Sequence, residues 1–336
     1  DHHSVGASLP AASTVINPRQ EDCAYPYKDL AGVGIAYKLA QALLRSHRRV
    51  PITQGSVGLA EADLLDLVAL GTVADLAPLR GENRVLVQQG MQRIRAGRCR
   101  PGIRALLDVA GRNPARLVAA DFGFGVGPRL NAAGRLDDMS LGIECLLCGD
   151  EARARELAVQ LDALNRERRE IETDMKTRAL EHVEAMHLDA RQLPLGLCLY
   201  DPQWHQGVIG ILAARIKEQF HRPVIAFAAA GGGELKGSAR SIPGLHIRDT
   251  LAAIAARHPG LLQKFGGHAM AAGLSLSEPC LSDFRQVFEE ELEARLDATA
   301  LQGVIESDGE LQADDFCLEF SELLRAAGPW GQDFPE

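Results

Sequence analysis

The sequence predicts an α/β protein of two domains joined by a long helix, and three observations predict it. Apolar runs at 195–200 and 223–228 flank an amphipathic stretch at 208–220, which makes a strand–helix–strand unit. From Asp150 to about residue 187, a charged segment carries a narrow apolar stripe at helical spacing. Upstream, the pattern is mainly helical as far as residue 110. The boundaries that follow are 1–149 for a first domain, 150–190 for a connecting helix, 191–298 for a second domain and 299–336 for the beginning of a third.

Thr14–Asn17 reads as a short strand stopped by Asn17-Pro18. A helix is expected from about Leu30 to Leu44 with Leu39, Ala42 and Leu43 inward, and another from Glu61 to Leu70 that Gly71 ends. Helical patterning continues over 84–110, and a glycine-rich loop runs from Phe122 to Arg135. Asp150 is the expected N-cap of the long helix, whose stripe is Leu157, Leu161, Leu164, Ile171 and Met175. At 1.5 Å per residue that helix spans roughly 50 Å, too long for one core. After the strand–helix–strand unit, the pattern gives extended structure at 236–241, a helix at 247–256, a small-residue segment at 265–273 and a helix at 280–296. Alternation at 304–311 opens a last domain that the remaining residues cannot complete.

The bulk properties are those of an ordinary globular chain, 46% hydrophobic and 24% charged, with no apolar run near the ~18 residues of a membrane span. Seven scattered cysteines, with only Cys145 and Cys148 forming a C-x-x-C, favour a reducing, cytoplasmic setting. A net charge of −9 excludes a generally basic nucleic-acid coat. The charge is uneven, however. Seven arginines (93, 95, 98, 100, 104, 112 and 116) face one acid, Asp108, and leave room for a local phosphate surface.

The chemistry-bearing residues begin with Asp1, His2 and His3. Imidazole and carboxylate together suit a hydrated divalent ion, the kind that hydrolyses phosphate esters. Asp75, after an apolar stretch, is either a solvated helix end or a ligand pointing into a cleft. Arg129, Asn131 and Arg135 stand among glycines 123, 125, 127 and 134, which allow close backbone approach while the arginines offer forked donors to phosphate. The other reading of that segment is a turn with surface arginines. In the second domain, Trp204-His205-Gln-Gly-Val-Ile-Gly210 opens a helix whose first amides can hold an anion. Ser238, Arg240, Gly266, Gly267 and His268 add further phosphate donors.

The stretches Asp1-His-His, Tyr27-Lys-Asp-Leu-Ala-Gly-Val-Gly34, Gly71-Thr-Val-Ala-Asp75, Gly127-Pro-Arg-Leu-Asn-Ala-Ala-Gly-Arg135, Trp204 to Gly210, Ser238-Ala-Arg240 and Gly266-Gly-His-Ala-Met-Ala-Ala-Gly273 occur in one order over nearly the whole chain. Together they resemble the DHH phosphoesterase superfamily, and most closely its single-strand-specific exonucleases. The resemblance implies the C-terminal part of a DHH phosphoesterase domain, the long connecting helix, a smaller α/β DHH-associated domain and the start of an oligonucleotide-binding domain. It implies 5′→3′ hydrolysis of single-stranded DNA with manganese or magnesium, in recombination and repair, with a single-strand-binding protein and a helicase as partners. Asp1, His2, His3 and Asp75 become the catalytic residues: His2 and Asp75 as metal ligands, His3 as a phosphate contact and Asp1 in support.

In the same way the resemblance makes Ser238 and Arg240 holders of a 5′ end, with Gly266, Gly267 and His268 in the associated binding motif. With His3, Arg129, Asn131, Arg135 and His205, these complete the expected substrate-binding set. The superfamily's first two motifs, which supply three more aspartates, have no counterpart here. The sequence is therefore expected to be part of a longer protein and inactive alone. Two rival readings are a DHH phosphatase acting on very short oligonucleotides and a non-catalytic nucleic-acid-binding module.

Overall fold

Helices build the first 185 residues of the computed structural model, which describes residues 2–3, 5, 9–49, 59–185, 193–304, 307–332 and 334. The chain forms two units, residues 1–165 with 306–336 and residues 166–305. In the first, α1 (Gly32–Arg49), α2 (Leu65–Ala74), α3 (Gly81–Arg95), α4 (Pro101–Val109), α5 (Gly127–Leu136) and α6 (Ser140–Leu147) surround a core with the start of α7 (Glu151–Ala185). Val87, Met91 and Ile94 of α3 recur at helical spacing and are buried with Ile103, Leu106, Phe122, Leu157 and Leu161. Gly90 lets α2 and α3 touch, because a Cβ there would lie 2.1 Å from the carbonyl oxygen of Leu65. Asp150 caps α7 as expected, its Oδ1 accepting the Arg153 amide at 2.7 Å.

Four expectations for this unit fail for identifiable reasons. Residues 14–17 form no strand; instead Asn17 is buried and its side chain organises the loop. Leu39 and Leu43 of α1 are exposed, whereas Ile35 and Tyr37 face inward. Gly71 does not end α2 but sits inside it against Val33, and the helix continues to Asp75. The glycine-rich segment is not a loop. Asp121–Val126 is a π-helical turn running directly into α5, so Arg129, Asn131 and Arg135 are helical residues.

The second unit holds one five-stranded sheet in the order β1-β2-β3-β5-β4. β1 (Leu197–Tyr200) and β2 (Val224–Gly231) are parallel and joined through α8 (Ile209–Phe220), as the sequence predicts. β3 (Glu234–Arg240), then α9 (Ile247–Arg257), then the hairpin of β4 (Lys264–Gly267) and β5 (Ala271–Ser277) continue antiparallel, followed by α10 (Leu281–Glu293). One sheet face carries Phe227, Leu235, Leu274 and Leu276 into a core with Leu251, Ile254, Phe284 and Phe288 of α9 and α10. Strand alternation turns the other face, with Ser238 and Arg240, toward α8. The later part of α7 joins this unit, with Glu172 paired to Arg215 at 3.2 Å.

The residues after 306 form α11 (Leu318–Ala327), and no strand lies at 304–311 among the described residues. They return to the first unit, where Arg84 lies over the rings of Trp330 and Phe334 at 5.1 and 4.7 Å. No helix of the described residues is long and apolar enough to cross a membrane. Gly90→Ala is expected to lower the unfolding free energy by about 2 kcal/mol or more, as overpacking does. Gly149→Ala, where a Cβ meets nothing within 4 Å, is the control expected to stay within about 0.5 kcal/mol. Equal denaturation midpoints for the two variants would contradict this packing.

Candidate metal and phosphate sites

In the first unit, His2 Nε2 lies 3.4 Å from Asp75 Oδ2. Local chemistry explains how residues 73 positions apart come to meet. Asp75 is the C-cap of α2, its amide bonded back to Gly71 and Val73. Gly32, the first residue of α1, lies under His2, for a Cβ there would stand 3.4 Å from the imidazole. His3 is held through its backbone, whose carbonyl accepts Asn17 Nδ2 at 3.0 Å, and its ring lies 4.4 Å from that of His2. Asp1 lies outside the described residues.

Partial burial lowers the pKa of His2; the Asp75 carboxylate opposes that shift, and His3 and Arg19 reinforce it. The imidazole therefore stays neutral, with a lone pair to offer. A neutral imidazole beside a carboxylate fits a divalent ion of the manganese or magnesium type. A helix C-terminus such as that of α2 also favours positive charge. Among the described residues no third His, Cys, Asp or Glu completes a cluster. The pair by itself offers two donors, one nitrogen and one carboxylate.

Arg19, whose charge bears on His2, is itself held by a residue to which the sequence gives no role. Asp29 accepts Arg19 at 2.8 Å and Arg80 at 2.6 Å, so two guanidinium groups are fixed by one carboxylate. The Tyr27-Lys-Asp motif hinted at Asp29, but its partners, 10 and 51 residues away, cannot be read from spacing.

Arg129 does not act as an open phosphate donor here. Its guanidinium is 11% exposed, pairs with Asp162 at 2.7 Å and donates to the Gly125 carbonyl at 2.7 Å. Asn131 and Arg135 are exposed on α5. The arginine run is also largely engaged: Arg93 with Asp63, Arg100 with buried Asp66, Arg104 with Glu151 and Arg112 with Asp121. Arg98 and Arg116 are exposed.

The second unit assembles several of the remaining candidates on its sheet. Arg240 Nη1 donates to Ser238 Oγ at 3.1 Å and to the Ala239 carbonyl at 2.8 Å. The start of α8 closes over them, since a Cβ on Gly210 would lie 2.9 Å from Arg240 Nη2 and 3.0 Å from Ser238 Oγ. A serine, a guanidinium and a helix start meeting in one place have the makings of an anion site. Gly266 falls in the same cross-strand row as Ser238, through Gly273. Gly267, at φ +145°, makes the turn, and the His268 amide bonds the Ala271 carbonyl, opposite Arg240. His205 lies on the turn before α8, its Nδ1 accepting the Gly207 amide at 3.1 Å.

A DHHA1 domain matches residues 194–294. The single-stranded-DNA-specific exonuclease RecJ of Dickeya dadantii is 60% identical over the whole chain, which spans 59% of that protein. A crystal structure of RecJ from Thermus thermophilus in complex with Mn2+ superposes with a TM-score of 0.80 at 30% identity, over 100% of this chain and 46% of that one. A structure of exonuclease RecJ bound to manganese is 33% identical with a TM-score of 0.66, over 88% of this chain and 69% of that one. The chain belongs to the RecJ family. A RecJ-family chain with this fold places the DHHA1 match on the five-stranded sheet and the His2–Asp75 pair in the helical unit.

Two outcomes test this geometry. In the metal-free chain, NMR should find the His2 imidazole titrating below the 6.5 of a free imidazole, and Asp75→Asn should lower the midpoint further by removing the opposing charge. The folded state then disfavours the proton, so the associated stability is complete above 6.5 and is lost as pH falls through the folded midpoint. A midpoint at or above 6.5 would sink the assignment. Arg129→Ala should cost about 2–3 kcal/mol in chemical denaturation by taking the guanidinium away from part-buried Asp162 and the Gly125 carbonyl. An unchanged midpoint would return Arg129 to the surface.

Proposed function

We propose that this chain is the part of a divalent-metal-dependent 5′→3′ exonuclease that carries two of its metal donors and its 5′-end grip, acting on single-stranded DNA. The observation that carries the reading is the His2–Asp75 pair, 3.4 Å apart with the imidazole held neutral. It is supported by the names and bound metals of the RecJ relatives. His2 and Asp75 would hold manganese or magnesium, which supplies an activated water and neutralises phosphate charge when bound. His3 lies beside them as a phosphate donor. Arg19 and Arg80, fixed by Asp29, add positive charge near the same place without freedom to collapse onto the carboxylate of Asp75.

In the second unit, Ser238, Arg240 and the start of α8 take the terminal 5′ phosphate, with His268 and the glycines shaping the approach. A guanidinium preset by its bond to Ser238 loses little freedom on binding such a group. An enzyme of this kind needs an unpaired strand, which a helicase exposes and a single-strand-binding protein holds. Recombination and repair intermediates supply such strands.

The test joins this chain to the remaining portions of the Dickeya relative and follows nucleotide release from a 5′-phosphorylated single strand with manganese. His2→Ala and Asp75→Ala should each lower turnover by at least about 100-fold, as loss of a metal ligand does, while leaving the thermal midpoint unchanged. Near-normal turnover of either variant at saturating manganese would overturn the assignment.

A further inference from the structure

The sheet of the second unit carries a second polar row that the 5′-end grip does not use. Register places Lys236 of β3, Ser275 of β5 and Lys264 of β4 side by side. The neighbouring row is Ser238, Gly273 and Gly266, so both rows share the face opposite the core residues Leu235, Leu274 and Leu276. Ser275 is only 5% exposed, and its Oγ has no hydrogen-bond partner among the described residues. Lys236 and Lys264 on either side are exposed, and neither has an ion-pair partner among the described residues. At Gly273 and Gly266 the face is bare, because a Cβ at either would meet nothing within 4 Å.

We propose that Lys236, Ser275 and Lys264 form a second phosphate subsite, next to the one that Ser238 and Arg240 provide; the proposal rests on the reading of that pair as a 5′-phosphate grip. A buried hydroxyl without a partner is costly, and a ligand oxygen that accepts its proton would remove that cost. Two ammonium groups about 5 Å to either side in Cβ position add charge that a phosphate needs and an apolar ligand does not. Edge strands often carry lysines that prevent sheet-to-sheet pairing, which would account for Lys264 on β4. It does not account for Lys236 or Ser275, which lie on internal strands. Successive same-face rows are about 6.7 Å apart. That spacing is comparable with neighbouring phosphates on an extended strand, and glycines 273 and 266 leave room for the sugar between them. The phosphate has two sources: the next phosphodiester of a strand, or a further phosphate on a polyphosphorylated 5′ end.

The experiment titrates the full chain, with metal chelated so that nothing is cleaved, against 5′-thymidylate, 5′-phosphorylated tetrathymidylate and thymidine 5′-triphosphate. The double variant Lys236→Gln/Lys264→Gln should bind 5′-thymidylate as before. It should bind tetrathymidylate about tenfold more weakly, with the slope of log K against log[salt] reduced by about 0.7 for the lost phosphate contact. Weakening for the triphosphate instead would identify the polyphosphorylated end as the source. Ser275→Ala, which removes only the orphan hydroxyl, should weaken the same ligand severalfold at an unchanged or raised thermal midpoint. Unaltered affinity and slope for both ligands in both variants would overturn the subsite. Failure of the underlying reading looks different: the unmutated chain would then show no preference for 5′-phosphorylated over 5′-hydroxyl tetrathymidylate.

Discussion

The His2–Asp75 pair of the first unit is held in place by one buried amide. Asn83, 2% exposed, accepts the Ala31 amide at 3.1 Å and donates to the carbonyls of Asp29 at 2.8 Å and Pro78 at 3.0 Å. The first two bonds fix the start of α1, where Gly32 supports His2. The third fixes the chain leaving Asp75. Between Asp75 and Pro78 the backbone turns through Leu76 at φ +55°, a left-handed conformation costly for a non-glycine residue, by about 1–2 kcal/mol. Three hydrogen bonds worth roughly 0.5–1.5 kcal/mol each are enough to offset it. The imidazole–carboxylate separation thus depends on a residue that touches neither side chain.

Charge follows a similar economy. A chain with net charge −9 cannot attract phosphate everywhere, and most arginines between 93 and 112 are committed to carboxylates or carbonyls of their own unit. Exposed pairs of this sort add little stability, but buried Asp66 beside Arg100 and part-buried Asp162 beside Arg129 would be costly carboxylates without their partners. What remains for a ligand is local and preset, notably Arg240 bonded to Ser238.

Much of the second unit could be read directly from the chain, because its signals are local. The apolar strands at 195–200 and 223–228 and the amphipathic 208–220 helix each carry their own pattern, whereas the hairpin of β4 and β5 reads only as a small-residue segment. The first unit was harder to read, and the reason is physical. Glycines 71, 90, 102 and 127 look like turn signals but serve close packing inside or at the ends of helices. At Gly102, for example, a Cβ would sit 1.9 Å from the Cys145 carbonyl oxygen. That is why the 122–135 sequence reads as a loop with Arg129 as an open phosphate donor or a surface arginine. Asp75 left two readings open, helix end or ligand. It is a helix end that also meets His2, a pairing that composition and spacing could not supply and that only motif resemblance suggested.

The two candidate sites use opposite ends of helices. Asp75 closes α2 at the negative end of its dipole, and beside it stands an imidazole kept neutral by burial. That environment suits a cation. Ser238 and Arg240 face the beginning of α8, the positive end of its dipole, and Gly210 removes the one side-chain atom that would keep the helix from them. That environment suits an anion. On the proposed reading the first environment would serve a metal and the second a terminal phosphate, each from a few side chains beside the dipole of a helix end. Such dipoles need no reorganisation when a ligand arrives. A net charge of −9 is therefore compatible with local sites of either sign, provided that the helix ends are held rigidly, as Asn83 holds one and Gly210 permits the other.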